Sequence, residues 1–113
     1  MQDIITQLRE QIENELKNNI LPFWCKHAVD DKNGGFYGYI SKDLVADAEH
    51  DKASVLNARI LWTFSTAYRL YKEASYLDMA VRAYEYICRY FINHKAMGVY
   101  WLLDHKGNPS ELP

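Results

Sequence analysis

Arg59 lies in residues 52–72, KASVLNARILWTFSTAYRLYK, between Asn57-Ala58 and Ile60-Leu61-Trp62. Of the two guanidinium groups in this apolar helical run, Arg59 and Arg69, Arg59 is the one that reads as buried, and burying an unpaired cation is costly. The position reads either as a structural arginine paired with an acid from a neighbouring helix or as an anchor for a polar ligand from outside. On the residues alone the ion pair is the expected choice. Four histidines, His27, His50, His94 and His105, are the candidates for proton transfer near neutral pH. Three lie in or beside turn-forming stretches and their spacing matches no metal motif, so all four are expected at the surface and no metal is expected. Cys25 and Cys88 fit no metal-ligand pattern and read as reduced core thiols of a cytosolic protein. There is no Gly-x-Ser-x-Gly, no phosphate loop and no cysteine with a histidine partner.

Nine Tyr, three Trp and four Phe make up 14% of the chain. Amphipathic rings at that density suit stacking on sugars, or a Tyr-rich helical core, and the core is the expected use. Trp62 is placed in that core. Tyr37, Tyr100 and Trp101 divide between packing and the rim of a site.

The elements that must position these residues belong to a chain of 113 residues, at most one small domain. Hydrophobic residues are 49% and charged residues 25%, and the formal charge of −2 is scattered. Nothing in that balance favours nucleic acid or an anionic membrane as a partner. The N-terminal MQDIITQLREQIENELK mixes charges with single apolar residues and is no signal-peptide core, and no stretch approaches the ~20 apolar residues of a membrane span. A soluble, cytoplasmic protein is expected.

Asp3 reads as an N-cap, and Ile4, Ile5, Leu8, Ile12, Leu16 and Ile20 follow a helical period behind it. Pro22 should kink or end that helix, with a turn or two continuing to about His27. Residues 30–35, DDKNGG, form a dense turn signal, after which residues 36–40 suit a short strand and residues 36–46 a small hairpin. The second helix should run over residues 53–72, with Ala58, Leu61, Trp62, Ser65, Tyr68 and Leu70 or Tyr71 on its core face. Ser75 is the expected cap of a third helix, whose buried face takes Tyr76, Leu77, Ala80, Ala83, Tyr84, Ile87, Tyr90 and Phe91. A strand over residues 99–103 and a second hairpin turn over residues 104–109 then repeat the earlier pattern. Aligning Gly35 with Gly98 sets Tyr37 over Tyr100 and Ile40 over Leu103, a shift of 63 residues. Repeats of helix, turn and hairpin normally stack or close into a ring.

With these stretches assembled, the sequence resembles the N-terminal part of the N-acylglucosamine 2-epimerase and cellobiose 2-epimerase family, the cellobiose branch most closely. The resemblance is carried by NILPFW at residues 19–24, NGGFYG at 33–38, LNARILWTF at 56–64, VYW at 99–101 and GNP at 107–109, in family order. It implies an all-α fold, the opening segment of an (α/α)6 barrel with about three helices and short β-hairpins, so that residues 1–113 are an N-terminal fragment of one barrel domain. It further implies cofactor-independent epimerisation at C2 of a reducing-end aldose through an enediolate, with an oligosaccharide or hexose as substrate. Abstracting a proton beside a carbonyl needs a base of near-neutral pKa and a fixed cation where the oxyanion forms. Arg59 matches the family's arginine and is assigned both the catalytic and the substrate-binding role. The family's catalytic histidines fall in later helices, none of the four histidines here occupies such a position, and the fragment alone is expected to be inactive. The family's Gly-Gly is Met97-Gly98 in this chain, and a non-glycine at a left-handed position is costly. An N-acylglucosamine 2-epimerase, an aldose-ketose isomerase of the same scaffold, or a non-catalytic helical interaction module are the alternatives. Self-association through apolar helix faces left without neighbours is expected in the last case.

Overall fold

The computed structural model describes residues 2–110. Its backbone opens with α1 (Gln2–Glu15), widens into a π-helical turn over Leu16–Ile20 and returns to α-helix in α2 (Leu21–His27). Pro22 explains the break. A proline ring clashes with the carbonyl four residues back, and one wide turn moves that carbonyl aside, while the missing N–H costs nothing in a first turn. The helix therefore continues to His27 as expected. Asp3 lies inside the first turn of α1 instead of capping it, because the helix already includes Gln2; its charge still suits the positive end of the helix dipole. α1 buries no residue, and Ile4, Ile5, Leu8 and Ile12 are all at least half exposed.

The core forms where α2 meets α3 (Ser54–Tyr71) and α4 (Ala74–Tyr86). Lys72 ends α3 in the left-handed conformation, φ 56°, and its N–H returns to the Tyr68 carbonyl. The chain then turns within two residues so that α4 packs along α3. Leu21, Ala28 and Phe36 meet Ile60, Phe64 and Ala67 of α3 and Tyr76, Met79, Ala80 and Ala83 of α4. The buried stripe of α3 is Asn57, Ile60, Phe64 and Ala67, one helical step from the stripe expected. Ala58 is exposed and Trp62 is 70% exposed, so Trp62 is not core among the described residues; Leu61 and Tyr68 stay at the edge of the buried stripe. Apolar residues nearly encircle α3, so periodicity does not choose the buried face and the neighbouring helix does. In α4 the cap is Glu73, not Ser75, which lies within the helix. Leu77 and Tyr84 face outward, while Met79 and Tyr86 are buried. A second π-helical turn, Ile87–Phe91, carries the fully buried Phe91.

The described residues also form four two-residue strands: β1 (Lys52–Ala53), β2 (Ile92–Asn93), β3 (Gly98–Val99) and β4 (Leu102–Leu103). β2 pairs with β3, and β4 pairs antiparallel with β1, setting Lys52 opposite Leu103 and Ala53 opposite Leu102. The strand expected over residues 99–103 is thus split at Tyr100-Trp101. The strand expected over residues 36–40 is not regular either: Phe36 bridges to Val29, and Ile40 to Ala46. The 63-residue repeat nevertheless recurs in several of its bonds. The Val29–Phe36 bridge recurs as Ile92–Val99, and Ile40–Ala46 recurs as Leu103–Pro109. Tyr37 N donates to Ala28 O at 2.8 Å as Tyr100 N does to Phe91 O at 2.7 Å. Asp30 Oδ1 accepts the N–H groups of Lys32 and Asn33 as Asn93 Oδ1 accepts those of Lys95 and Ala96. Met97 takes φ 58° where Gly34 takes 87°, but Gly35 takes φ 66° while Gly98 is not at positive φ, so the two turns differ at that position.

Candidate functional site

Arg59 sits in the second turn of α3, whose start is tied down by local bonds. Ser54 N donates to Trp101 O at 3.1 Å and Asn57 Nδ2 donates back to Ala53 O at 2.9 Å. Asn57 is buried, and its Oδ1 has no partner among the described residues. Arg59 itself is exposed. No carboxylate lies within ion-pair distance of it among the described residues, so the structural ion pair expected from the residues alone is not formed there.

Two clefts share Arg59 as a wall. One, ≈ 320 Å³, lies between α2 and α3 and is lined by Ile20, Leu21, Trp24, Leu56, Ile60 and Phe64 together with Thr63. The other, ≈ 550 Å³, opens along the outer face of α3 between Val55, Ala58, Trp62 and Thr63. A permanently charged, planar fork flanked by an indole and apolar walls can hold hydroxyls or a developing oxyanion, and the aromatic face suits a sugar ring.

Among the described residues the buried cation is Lys52, which ends the polar stretch DAEHDK at residues 47–52. Lys52 Nζ donates to Asp30 Oδ2 at 2.9 Å and to Gly34 O at 2.7 Å, with both charged residues almost wholly buried. Burial pushes the Asp30 carboxyl up, but the Asn33 N–H, the Lys52 ammonium and the Lys32 N–H together hold it below the usual carboxylate range. Arg82 of α4 supports the same loop, donating from Nε to Gly35 O at 2.8 Å and from Nη2 to Asp30 O at 2.7 Å. Tyr86 closes it. Its hydroxyl is buried without a partner among the described residues and is pushed up to about 12, first by burial and then by Tyr90, Asp30 and Asp104. No spacing signals this cluster, because its members come together only when α3 and α4 pack.

None of the four histidines lines either cleft at Arg59. His50 and His94 are exposed as expected, whereas His27 and His105 are half-buried, His27 with its ring 4.9 Å from that of Phe23. Cys25 and Cys88 are free and half-buried, and burial raises the Cys25 thiol. Trp101 is exposed, while Tyr100 packs beside Phe91 and Leu103. Among the described residues no cluster of His, Cys, Asp or Glu could hold a metal ion, and no helix is long and apolar enough to cross a membrane.

No family model matches the chain. It is 44% identical over 102 residues to a cellobiose 2-epimerase of Bacteroides fragilis and 45% identical over 101 residues to one of Ruminococcus albus. These alignments cover 90% and 89% of this chain and 26% of each relative, so the chain spans about a quarter of the length of the curated relatives it matches. N-acylglucosamine 2-epimerase of Mus musculus is 28% identical over 85 residues, 73% of this chain and 20% of that protein. Among solved structures, the cellobiose 2-epimerase of Spirochaeta thermophila superposes with a TM-score of 0.89 at 32% identity over 96% of this chain and 27% of that one. A D-mannose isomerase superposes with a TM-score of 0.72 at 25% identity, over 91% of this chain and 25% of its own. The matched epimerases are (α/α)6 barrels, and the mostly helical fold described above corresponds to about a quarter of that architecture.

Proposed function

We propose, from a chain homologous with one quarter of the cellobiose 2-epimerases, that residues 1–113 are the N-terminal part of a single barrel domain that epimerises C2 of a reducing-end aldose. The observation that carries the role of Arg59 is its state in α3: exposed, unpaired with any described carboxylate, and walling two clefts, one of them beside Trp62. Removing the C2 proton converts the open-chain aldose into an enediolate, and returning a proton to the opposite face inverts that carbon. A fixed guanidinium beside the oxygen stabilises the charge that develops there and does not have to lose a proton to do so. The acid and base are supplied by histidines outside these residues, in keeping with clefts that no described histidine lines. An oligosaccharide such as cellobiose is the preferred substrate, and the free thiols suit a reducing, cytoplasmic setting.

The test uses the full-length protein with cellobiose, following the mannose-terminated epimer and the exchange of the C2 hydrogen with D₂O. Arg59→Ala should lower kcat on the order of a hundredfold or more, as loss of an oxyanion contact does, and Arg59→Lys should restore only part of it. Unchanged kcat in Arg59→Ala would remove Arg59 from the chemistry. Residues 1–113 alone should give no product, and turnover by them would overturn the assignment of acid and base to other segments. The likeness to a D-mannose isomerase favours a second reading, aldose-ketose isomerisation on the same scaffold. A ketose product in place of an epimeric aldose decides for it.

A further inference from the structure

We propose that Lys52 is a positioning residue for Arg59: its buried ammonium, held by Asp30 and the Gly34 carbonyl, fixes the register of α3 and with it the place of the guanidinium. The proposal rests on reading Arg59 as the oxyanion contact. Lys52 stands two residues before α3 begins and is 1% exposed. Its bonds reach across 22 residues to Asp30 and 18 to Gly34, so they join the start of α3 to the loop after α2. That loop is held in turn. Asp30 Oδ1 accepts the N–H groups of Lys32 at 3.1 Å and Asn33 at 3.0 Å, Arg82 grips the carbonyls of Gly35 and Asp30, and the Tyr86 ring lies 5.2 Å from the ammonium.

A lysine is a poor choice for stability alone, because a buried ion pair seldom outperforms apolar side chains of the same volume. What it supplies is direction. The other long-range ties at the start of α3 are the two-residue β1–β4 pairing and the bond from Ser54 N to Trp101 O, and both reach the segment around β4. Lys52 alone of these residues reaches the loop after α2. A slip of one residue would turn α3 by about 100° and shift it by about 1.5 Å. Arg59, in the second turn, would then leave the wall between its two clefts. The ammonium that meets both Asp30 Oδ2 and Gly34 O ties the start of α3 to the loop after α2.

The test compares Lys52→Met, Lys52→Arg and the double variant Lys52→Met/Asp30→Leu in the full-length protein. Lys52→Met leaves a buried carboxylate unpaired and should lower Tm sharply. The double variant removes that charge and should recover most of the lost Tm. Its kcat on cellobiose should nevertheless stay on the order of a hundredfold below wild type, the scale expected when a reacting group is misplaced by about 1 Å, with KM changed much less. Amide hydrogen exchange over residues 54–59 should be faster in the double variant while exchange in α4 is unchanged. Lys52→Arg should recover part of kcat. A double variant with wild-type kcat and wild-type exchange would overturn the proposal. If wild type epimerises no sugar, the proposed function fails by itself, and the exchange rates over residues 54–59 still decide whether Lys52 holds the register.

Discussion

Lys52 and Arg59 stand seven residues apart in one stretch, and the environment of each follows from the partner within its reach. Lys52 is enclosed because Asp30, two loop N–H groups and a carbonyl satisfy the pair on all sides. Arg59 has no such acid among the described residues and keeps its fork in solvent. Removing one partner of a buried pair strands the other charge, so Lys52→Met should cost about 3–5 kcal/mol in chemical unfolding. The pair also sets an acid limb. The Asp30 carboxyl is depressed in the folded protein, so the stability it contributes is complete above its unfolded value of about 4 and is lost as pH falls through the folded value. Thermal melts of wild type should therefore drop steeply below about pH 4. Asp30→Asn should be less stable at pH 7 and lose less on acidification, and a wild-type acid limb in that variant would exclude Asp30 as its source.

At the scale of elements, the two loops of the 63-residue repeat offer a controlled comparison. Gly35 takes φ 66°, and a Cβ there would come within 2.7 Å of the Tyr86 ring, whereas a Cβ at Gly98 meets nothing within 4 Å. Gly35→Ala should cost about 1–3 kcal/mol through strain and overpacking. Gly98→Ala should be neutral within about 0.5 kcal/mol, as exposed changes away from special features usually are. The left-handed turn at Met97 points the other way: Met97→Gly should stabilise by about 1 kcal/mol, because a side chain at φ 58° carries a penalty that glycine lacks. Denaturant unfolding of the three variants checks the set, and a neutral Gly35→Ala would show that the Tyr86 ring yields. Both loops share their bonding because each carries an Asx residue, Asp30 or Asn93, whose side chain accepts the next N–H groups and starts the turn.

At the scale of the whole molecule, three apolar faces lie open among the described residues. Ile4, Ile5, Leu8 and Ile12 of α1, Val55, Trp62 and Leu70 of α3, and Leu77, Val81 and Tyr84 of α4 are all at least 40% exposed. A surface of that kind associates, so residues 1–113 prepared alone should sediment above their 13.3 kDa mass. Replacing Leu8 and Trp62 by Glu should reduce that association, and a monomer at all concentrations would contradict it. Local chemistry was legible without the fold: the end of the first helix near His27, the turn at residues 30–35 and the repeat of 63 residues. Each rests on neighbours within a few residues, where proline geometry, Asx turns and helical spacing act directly. The buried face of α3, the exposure of Trp62 and the choice of Lys52 over Arg59 as the enclosed cation were decided only by tertiary structure. α3 is apolar on nearly every side, and Asp30 reaches Lys52 across 22 residues, so which face and which charge are buried depends on what the packed helices bring alongside.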